Sequence, residues 1–267
     1  MKIAITSPIF IKNEEHKKYV DMTTKSIVSA NHDIVWIPVE NQISSQFVPY
    51  AYQFDHAPED IAVLKGRIPQ SVARAWNDGI AKSREMGCDY VLVINTDIVF
   101  KSNSIDRLVD FAEQHPEAVM WTMAETPDLA MLEECHEDEN FSEHPHFSCF
   151  MVKATFFDEV GEFDENFQPA YCEDGDMHAR LSLAGKKAFI YGGARFFHFG
   201  SRTIKSDQEE WANNSRTFPR NQEYFLKKWG HPVVNEPDRM REVYFKTPYN
   251  EPARSLRYWW GQTEVQK

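Results

Sequence analysis

Residues Tyr90-Val-Leu-Val-Ile-Asn-Thr-Asp97 decide the fold class, because five apolar residues run without a break into three polar ones. An apolar run of this length predicts a strand that is buried on both faces of its sheet. Short apolar runs alternate with helical patterns on both sides of this stretch. The alternation is typical of an α/β protein with a mainly parallel central sheet flanked by helices.

The elements around this strand follow from the same periodicities. Apolar runs at 3–5 and 34–39 predict the first two strands, with a helix between them. Apolar residues spaced four apart predict a helix that starts near Ser71 and ends before Gly87. The other predicted elements are a helix capped by Ser104 with Ile105, Leu108, Val109 and Ala112 as its core stripe, strands at 118–123 and 149–152, and a long acidic loop at 125–147.

The composition limits the function classes. The 267 residues are 42% hydrophobic, enough for a large core, and carry a formal net charge of −12. Such an excess of acid argues against nucleic acid or an anionic membrane as the main partner. Four cysteines without paired spacing favour a reducing compartment, and no apolar stretch reaches the roughly 18 residues of a membrane span. Since the N-terminus resembles a strand rather than a signal peptide, a soluble cytoplasmic protein is expected.

The polar residues Asn95, Thr96 and Asp97 follow the buried strand directly. Open α/β sheets place their ligands at the carboxyl ends of strands. A carboxylate there could hold a hard divalent cation, which in turn could bind a diphosphate. The structural alternative is an Asx-type turn that only ends the strand.

Six acidic residues crowd between positions 162 and 176, and their mutual repulsion is costly unless a cation or a function offsets it. Asp176 and Arg180 stand four apart on a predicted helix and are expected to form a structural pair. Asp174 is predicted to be the N-cap of that helix, where the helix dipole would lower its pKa. Glu173 and Asp174 precede the first full turn and are therefore expected to face a cleft.

His198 lies in the aromatic stretch Phe196-Phe-His-Phe-Gly-Ser201. A histidine among aromatic residues is more often a core residue than a ligand. Here, however, it ends a strand-like run, so it could reach the same cleft as the acids.

Together these motifs resemble the family 2 glycosyltransferases with the GT-A fold, especially the rhamnosyltransferase-like branch. The similarity extends over about residues 1 to 230 and is densest from 77 to 200. Its motifs occur in the family's order, and they are Asn77-Asp-Gly79, Asp89 to Asp97, Gly161-Glu-Phe-Asp-Glu165, Glu173-Asp174-Gly-Asp176 with Arg180 and Gly185, His198-Phe-Gly200, and Asn221 to Gly230.

The resemblance implies a glycosyltransferase that moves a sugar from a nucleotide-diphosphate sugar to an acceptor hydroxyl, with inversion. Asp97 would bind Mn²⁺ or Mg²⁺ at the donor diphosphate, and His198 would be a further metal ligand that favours Mn²⁺. Asp174 would be the catalytic base, and Glu173 would position sugar or acceptor hydroxyls. The other implied donor-binding residues are Glu40, Asn41, Asn77, Asn95 and Thr96.

Some positions depart from the family pattern. Asn95 replaces the first aspartate of the metal motif, so a single carboxylate remains there, and Cys172 stands where an aromatic residue is usual. By the same resemblance, residues 1–205 would form the GT-A catalytic domain and 206–267 a packed C-terminal helical extension. The basic and aromatic segment Arg254 to Trp260 in that extension could contact its own domain, a second subunit or a membrane surface.

Several alternatives remain open from the sequence. A nucleotidyltransferase would normally carry a glycine-rich phosphate loop after the first strand, and Thr6 to Phe10 supplies none. A carbohydrate- or nucleotide-binding protein without turnover, and a glycosyltransferase acting on a modified DNA base, are further candidates. The loop from Cys135 to His146 could be a zinc site, but it lacks paired cysteines, so an acceptor-facing loop is preferred.

Overall fold

The computed structural model describes residues 1–47, 60–67, 70–136, 138–143, 146–200, 202 and 207–233. Its strands are β1 (Lys2–Ile11), β2 (Asp33–Ile43), β3 (Asp60–Ile61), β4 (Leu64–Lys65), β5 (Tyr90–Ile94), β6 (Ile98–Phe100), β7 (Ala118–Thr126), β8 (Phe141–Glu143), β9 (Cys149–Lys153) and β10 (Lys187–His198). Its helices are α1 (Glu14–Lys25), α2 (Val72–Glu85), α3 (Ser104–Gln114), α4 (Phe156–Val160), α5 (Glu173–Leu183) and α6 (Gln208–Trp229).

One sheet organises these elements, in the order β3-β2-β1-β5-β9-β7-β10-β6, with β4 beside β2 and β8 beside β10. The strands β2, β1 and β5 are parallel neighbours, and so are β7 and β10. Strand β9 is antiparallel to both β5 and β7 and joins these two groups. Among the described residues, five strand pairs are parallel and four antiparallel, so the sheet is mixed, with a parallel group on each side of β9.

Helices cover both faces of this sheet, which explains why all five residues of β5 are buried. On one face, Trp76 of α2 and Leu181 of α5 pack in the same core cluster as Val91. On the other, Leu108 of α3 packs in a cluster with Leu92. The apolar residues of β5 therefore pack into a hydrophobic cluster on each face of the sheet. The predicted α/β class is confirmed.

Helix α2 approaches the sheet unusually closely at Gly79. A Cβ at this position would lie 2.0 Å from Oγ1 of Thr6 on β1, which is far inside van der Waals contact. Thr6 is fully buried and donates its hydroxyl to the carbonyl of Ile37 on β2. The glycine of the Asn-x-Gly motif is thus required by the packing of helix on strand.

Two local predictions were wrong. Ser104 does not cap α3: it is the first residue of the helix, and its Oγ donates to the carbonyl of Arg195 and accepts from the Arg195 N–H. The cross-link to β10 replaces the capping role because Ser104 is fully buried against that strand. The segment 125–147 is not a continuous loop either, since 141–143 form β8 and pair with β10.

The described part of the C-terminal extension is one long helix. Asp207 caps α6 by accepting the N–H groups of Glu209 and Glu210. Phe225 of α6 is fully buried and packs near Gly175, where a Cβ would lie 3.3 Å from its ring. The aromatic segment 254–260 lies outside the described residues. None of the helices that the structure describes is long and apolar enough to cross a membrane.

Candidate active site

A cavity of about 590 Å³ lies at the carboxyl ends of β1, β2 and β5. Its volume falls within the range of small-molecule sites. The loop before α5, the N-terminal parts of α2, α5 and α6, residues 146–148 before β9 and the end of β10 complete its wall. Seven of the nine predicted site residues line it, namely Asn41, Asn95, Thr96, Asp97, Glu173, Asp174 and His198.

Asp97 and His198 meet because two sheet elements place them side by side. Strand β6 follows Asp97 directly and pairs antiparallel with the end of β10, so that Ile98 stands opposite His198. The His198 Nε2 atom lies 3.1 Å from the Asp97 Oδ1 atom, and the other carboxylate oxygen accepts the N–H of Arg202 at 3.0 Å. Although burial opposes it, the hydrogen bonds from His198 and Arg202 hold the pKa of Asp97 below its usual value.

The Asp97–His198 pair fits a divalent metal. Two neighbouring ligands of an octahedral ion, each about 2.1 Å from it, lie about 3 Å apart, close to the 3.1 Å observed here. One oxygen and one imidazole nitrogen form a donor set that Mn²⁺ accepts more readily than Mg²⁺. Among the described residues there is no group of three or more possible ligands, so most positions around an ion would fall to a bound ligand.

His146 also lines the cavity, although it was not among the predicted site residues. Its ring stacks on Phe196 of β10, with ring centroids 5.5 Å apart. Burial, together with the nearby His198, lowers the pKa of His146 to about 4, so its imidazole is neutral at pH 7. Its sequence signal is the loop from Cys135 to His146, for which an acceptor-facing position rather than a zinc site is predicted.

Two predicted donor-binding residues do not line the cavity. Asn77 is buried in α2, where its amide donates to the carbonyl of Phe163 at 2.9 Å and its Oδ1 accepts the Phe163 N–H at 2.8 Å. It therefore ties α2 to the Gly161–Glu165 segment. Glu40 forms a salt bridge with Lys65 of β4, beside the cavity residue Asn41. Asn77 and Glu40 thus form hydrogen bonds or a salt bridge with other groups of the protein. The motif alone could not indicate these partners.

Three of the six crowded acids, Asp164, Glu165 and Asp176, are neutralised by cations from other elements. Asp176 is fully buried and accepts from Arg180 at 2.9 Å and from Trp229 at 2.9 Å, with Lys228 2.6 Å away. Lys228 also pairs with Asp164 at 2.5 Å. Glu165 is paired with arginine side chains, including Arg74 of α2 at 2.8 Å. The predicted Asp176–Arg180 pair is confirmed, although it lies in the core rather than on a surface flank.

Glu173 and Asp174 are different, since no described residue forms a salt bridge with either. Asp174 is not the N-cap: α5 begins at Glu173, and Cys172 is the capping residue. The Oδ1 atom of Asp174 accepts the N–H of Gly175 at 2.7 Å. Burial raises the pKa of Asp174 against the opposing effect of backbone N–H groups, so the expected lowering by the helix dipole was wrong.

Glu173 is more deeply buried, with only 5% of its surface exposed. Its Oε2 atom has no hydrogen-bond partner within the described part of the chain. Burial, and then the charge of Asp174, raise the pKa of Glu173 well above its ordinary value. Strongly raised values of this kind are typical of functional sites.

The loop that leads into these acids is held by α6. Tyr171 and Cys172 both have positive φ angles, 75° and 79°, a conformation that costs about 1–3 kcal/mol per residue outside glycine. Asn221 of α6, which is buried, donates to the carbonyls of Ala170 and Tyr171 at 2.9 and 3.1 Å. Its Oδ1 also accepts the N–H of Gln168 at 3.3 Å. Asn221 thus stabilises the strained backbone that turns Glu173 and Asp174 toward the cavity.

No protein-family model matches the sequence, and no curated protein sequence matches it. Among solved structures, the chain is similar to GalNAc-T7 with UDP, GalNAc and Mn²⁺, with a TM-score of 0.59 and 10% identity over 91% of this chain and 54% of that one. It is also similar to the mannosyltransferase PcManGT from Pyrobaculum calidifontis in complex with GDP-Man and Mn²⁺, with a TM-score of 0.59 and 11% identity over 91% and 67%.

A third similar structure is TarS of S. aureus, with a TM-score of 0.55 and 11% identity over 92% of this chain and 44% of that one. The chain therefore spans about half the length of GalNAc-T7 and of TarS. These proteins are glycosyltransferases with the GT-A fold. The protein described here has the GT-A fold, and identities of 10–11% establish the fold alone.

Proposed function

We propose that this protein is a metal-dependent, inverting glycosyltransferase that transfers a sugar from a nucleoside-diphosphate sugar to an acceptor hydroxyl. One observation carries the proposal: a single cavity joins the metal-compatible pair Asp97 and His198 to Glu173 and Asp174, two carboxylates that have no cationic partner among the described residues. The assignment to family 2 and its rhamnosyltransferase-like branch rests on the motif order and is part of the same proposal.

The donor end of the cavity would be the Asp97 side. Mn²⁺ held by Asp97 and His198 would supply positive charge to the diphosphate and stabilise it as a leaving group. Asn95 and Thr96 line the cavity beside this pair, and Asn41 lies at the end of β2, where it can contact the nucleoside. The same two structural relatives that support the fold are complexes with UDP or GDP-Man and Mn²⁺.

The chemistry would take place at Asp174. As the acceptor oxygen forms a bond to the anomeric carbon, the bond from that carbon to the diphosphate oxygen breaks and the nucleoside diphosphate leaves. The acceptor proton passes to the Asp174 carboxylate, whose raised pKa makes it a stronger base than an exposed aspartate. Glu173, whose raised pKa favours the neutral form, would donate a hydrogen bond to a sugar hydroxyl.

Calorimetric titration with UDP and GDP, with and without Mn²⁺, tests the donor half of the proposal. We expect Mn²⁺ to tighten binding of one nucleotide, and Asp97→Asn to weaken the Mn²⁺-dependent binding about tenfold or more. Asp89→Asn, at the other end of β5, is the matched control because Asp89 lies outside the cavity and accepts the Lys2 N–H. Absence of nucleotide binding by the wild type would reject the function, and equal binding by both variants would remove Asp97 from the metal site.

A further inference from the structure

Residues 168–172 form the turn that leads into the two acids of the cavity. The Pro169 carbonyl accepts the N–H of Val72 in α2 at 2.9 Å, and the Cys172 carbonyl accepts a backbone N–H of α5 at 3.0 Å. The carbonyls of the two residues between them accept the side-chain amide of Asn221 on α6. One side chain therefore provides the donor for two of the four successive carbonyl groups in this turn.

The turn has a backbone shape that its own sequence does not favour. Tyr171 and Cys172 have φ angles of 75° and 79°, which residues with a side chain rarely adopt. Cys172 precedes α5 without a side-chain capping bond. Asn221 is only 2% exposed, so its bonds to the turn are shielded from water. The shape of the turn therefore depends on a contact from α6.

Asn221 fixes two adjacent peptide planes of this turn. A trans peptide unit is planar, so its C=O and the following N–H point in opposite directions. The plane of the Ala170 carbonyl carries the N–H of Tyr171, and the plane of the Tyr171 carbonyl carries the N–H of Cys172. Asn221 binds the two carbonyls at 2.9 and 3.1 Å and thereby sets the direction of both N–H groups.

These two N–H groups face the acids of the cavity. Burial raises the pKa of Glu173 and of Asp174. Hydrogen bonds from the N–H of Tyr171 to Glu173 and from the N–H of Cys172 to Asp174 oppose this rise in pKa. Loss of the Asn221 amide would free both peptide planes to rotate, and each carboxylate would lose a fixed donor.

Helix α6 is anchored independently of this turn, so it can act as a fixed support. At the start of α6, Glu210 pairs with Lys12, which follows β1. Near the end of α6, Lys228 pairs with the buried Asp176 of α5 at 2.6 Å. Neither pair involves the turn, and Asn221 lies between them along the helix.

We propose that Asn221 is a positioning residue for the transfer reaction: its amide fixes two peptide planes, whose N–H groups orient Glu173 and Asp174 in the cavity. The inference rests on the proposed function for the reaction that it serves, and it makes α6 a part of the catalytic unit. Within the described part of the chain, Asn221 is not among the residues that line the cavity. It therefore acts through the turn and not by contact with a substrate.

Two variants of the full-length protein test the proposal, Asn221→Ala and Asn221→Ser, whose side chains are too short to reach both carbonyls. Tyr224→Phe is the matched control on α6, because it removes a hydrogen bond to the Asp164 carboxylate and keeps the ring. Hydrogen–deuterium exchange follows the backbone amides of residues 168–173 without any ligand. Release of UDP from UDP-N-acetylgalactosamine and of GDP from GDP-mannose, with Mn²⁺ and methyl glycosides as acceptors, gives kcat and KM.

We expect the amides of residues 168–173 to exchange about tenfold faster in both Asn221 variants, the equivalent of two neutral hydrogen bonds. Their exchange in Tyr224→Phe should match the wild type. In the Asn221 variants kcat should fall at least about tenfold, because misoriented carboxylates slow the chemical step. The KM for the donor should stay unchanged, since the donor end of the cavity is not altered.

Unchanged exchange in this segment, or a loss of kcat no greater than that of Tyr224→Phe, would overturn the positioning role. Unfolding of both Asn221 variants would overturn it as well, because Asn221 would then be a purely structural residue. If the wild type released neither nucleotide, the proposed function would fail for these donors. The exchange of residues 168–173 would still decide whether Asn221 holds the turn that carries the acids.

Discussion

Asp174 and Asp176 stand two residues apart in the first turn of α5, yet their surroundings are opposite. Asp176 points into the core, where Arg180, Lys228 and Trp229 surround its carboxylate. Asp174 lines the cavity and, within the described part of the chain, receives only backbone N–H groups. A helix turns about 100° per residue, so positions two apart face nearly opposite sides. A dense acidic segment can therefore supply structural and chemical carboxylates from one helical turn.

The variant with the largest predicted effect changes Asp176, the carboxylate in the core. Asp176→Asn keeps the size of the side chain but leaves the buried Arg180 without the Asp176 carboxylate and removes one of the two carboxylates that pair with Lys228. We expect the free energy of unfolding in urea to fall by about 3 kcal/mol, the lower range for a broken buried ion pair.

Asp158→Asn provides the control for this prediction, since Asp158 pairs with Arg84 at the surface with both side chains half exposed. Its unfolding midpoint should not change measurably. A similar midpoint for Asp176→Asn and the wild type would mean that the core carboxylate has no structural role.

The second prediction concerns Asp174, the carboxylate in the cavity. Asp174→Asn keeps an oxygen that can accept the Gly175 N–H but cannot take up a proton. We expect turnover with a nucleoside-diphosphate sugar to fall at least about hundredfold, the lower range for a general base, while the unfolding midpoint stays the same or rises. If Asp174→Asn remained active and Glu173→Gln were inactive, the base would be Glu173.

The smallest effect concerns stability and its dependence on pH. The pKa of Glu173 is raised in the folded protein above its ordinary value of 4.5, so the folded state favours the protonated form. This contribution to stability is fully present below the ordinary pKa and is lost as pH rises through the folded pKa. Glu173→Gln avoids the loss because it carries no charge.

We therefore expect Glu173→Gln and the wild type to melt at similar temperatures near pH 4. At pH 8 the variant should be more stable by roughly 1 kcal/mol, a few degrees in Tm. Thermal denaturation across this pH range provides the measurement. If the stability difference between Glu173→Gln and the wild type shrank as pH rose, Glu173 would not be a buried carboxylate with a raised pKa. Its role would then resemble the structural role of Asp176.

Much of the fold could be predicted from local pattern alone. The strand at 90–94 agrees residue for residue, because five consecutive apolar side chains fit only a strand between two helical layers. The core stripe of α3 is likewise buried as its spacing predicts. Predictions failed where a distant partner replaced a local one. Ser104 bonds to Arg195, 91 positions away, and Asn77 bonds to Phe163, 86 positions away.

Local sequence patterns were sufficient to predict the α/β class and the acidic segment, because periodicity and charge density are local properties. They also indicated Asp97 as the first polar carboxylate after the buried strand. Which acids are available for chemistry depends on tertiary contacts. Lys228 pairs with Asp164 and Asp176, and Arg74 pairs with Glu165, in each case from another helix. The same holds for the pKa of Asp174, which the helix start alone would lower but which burial in the assembled cavity raises. Desolvation depends on what the whole chain places around a group, and no local pattern records it.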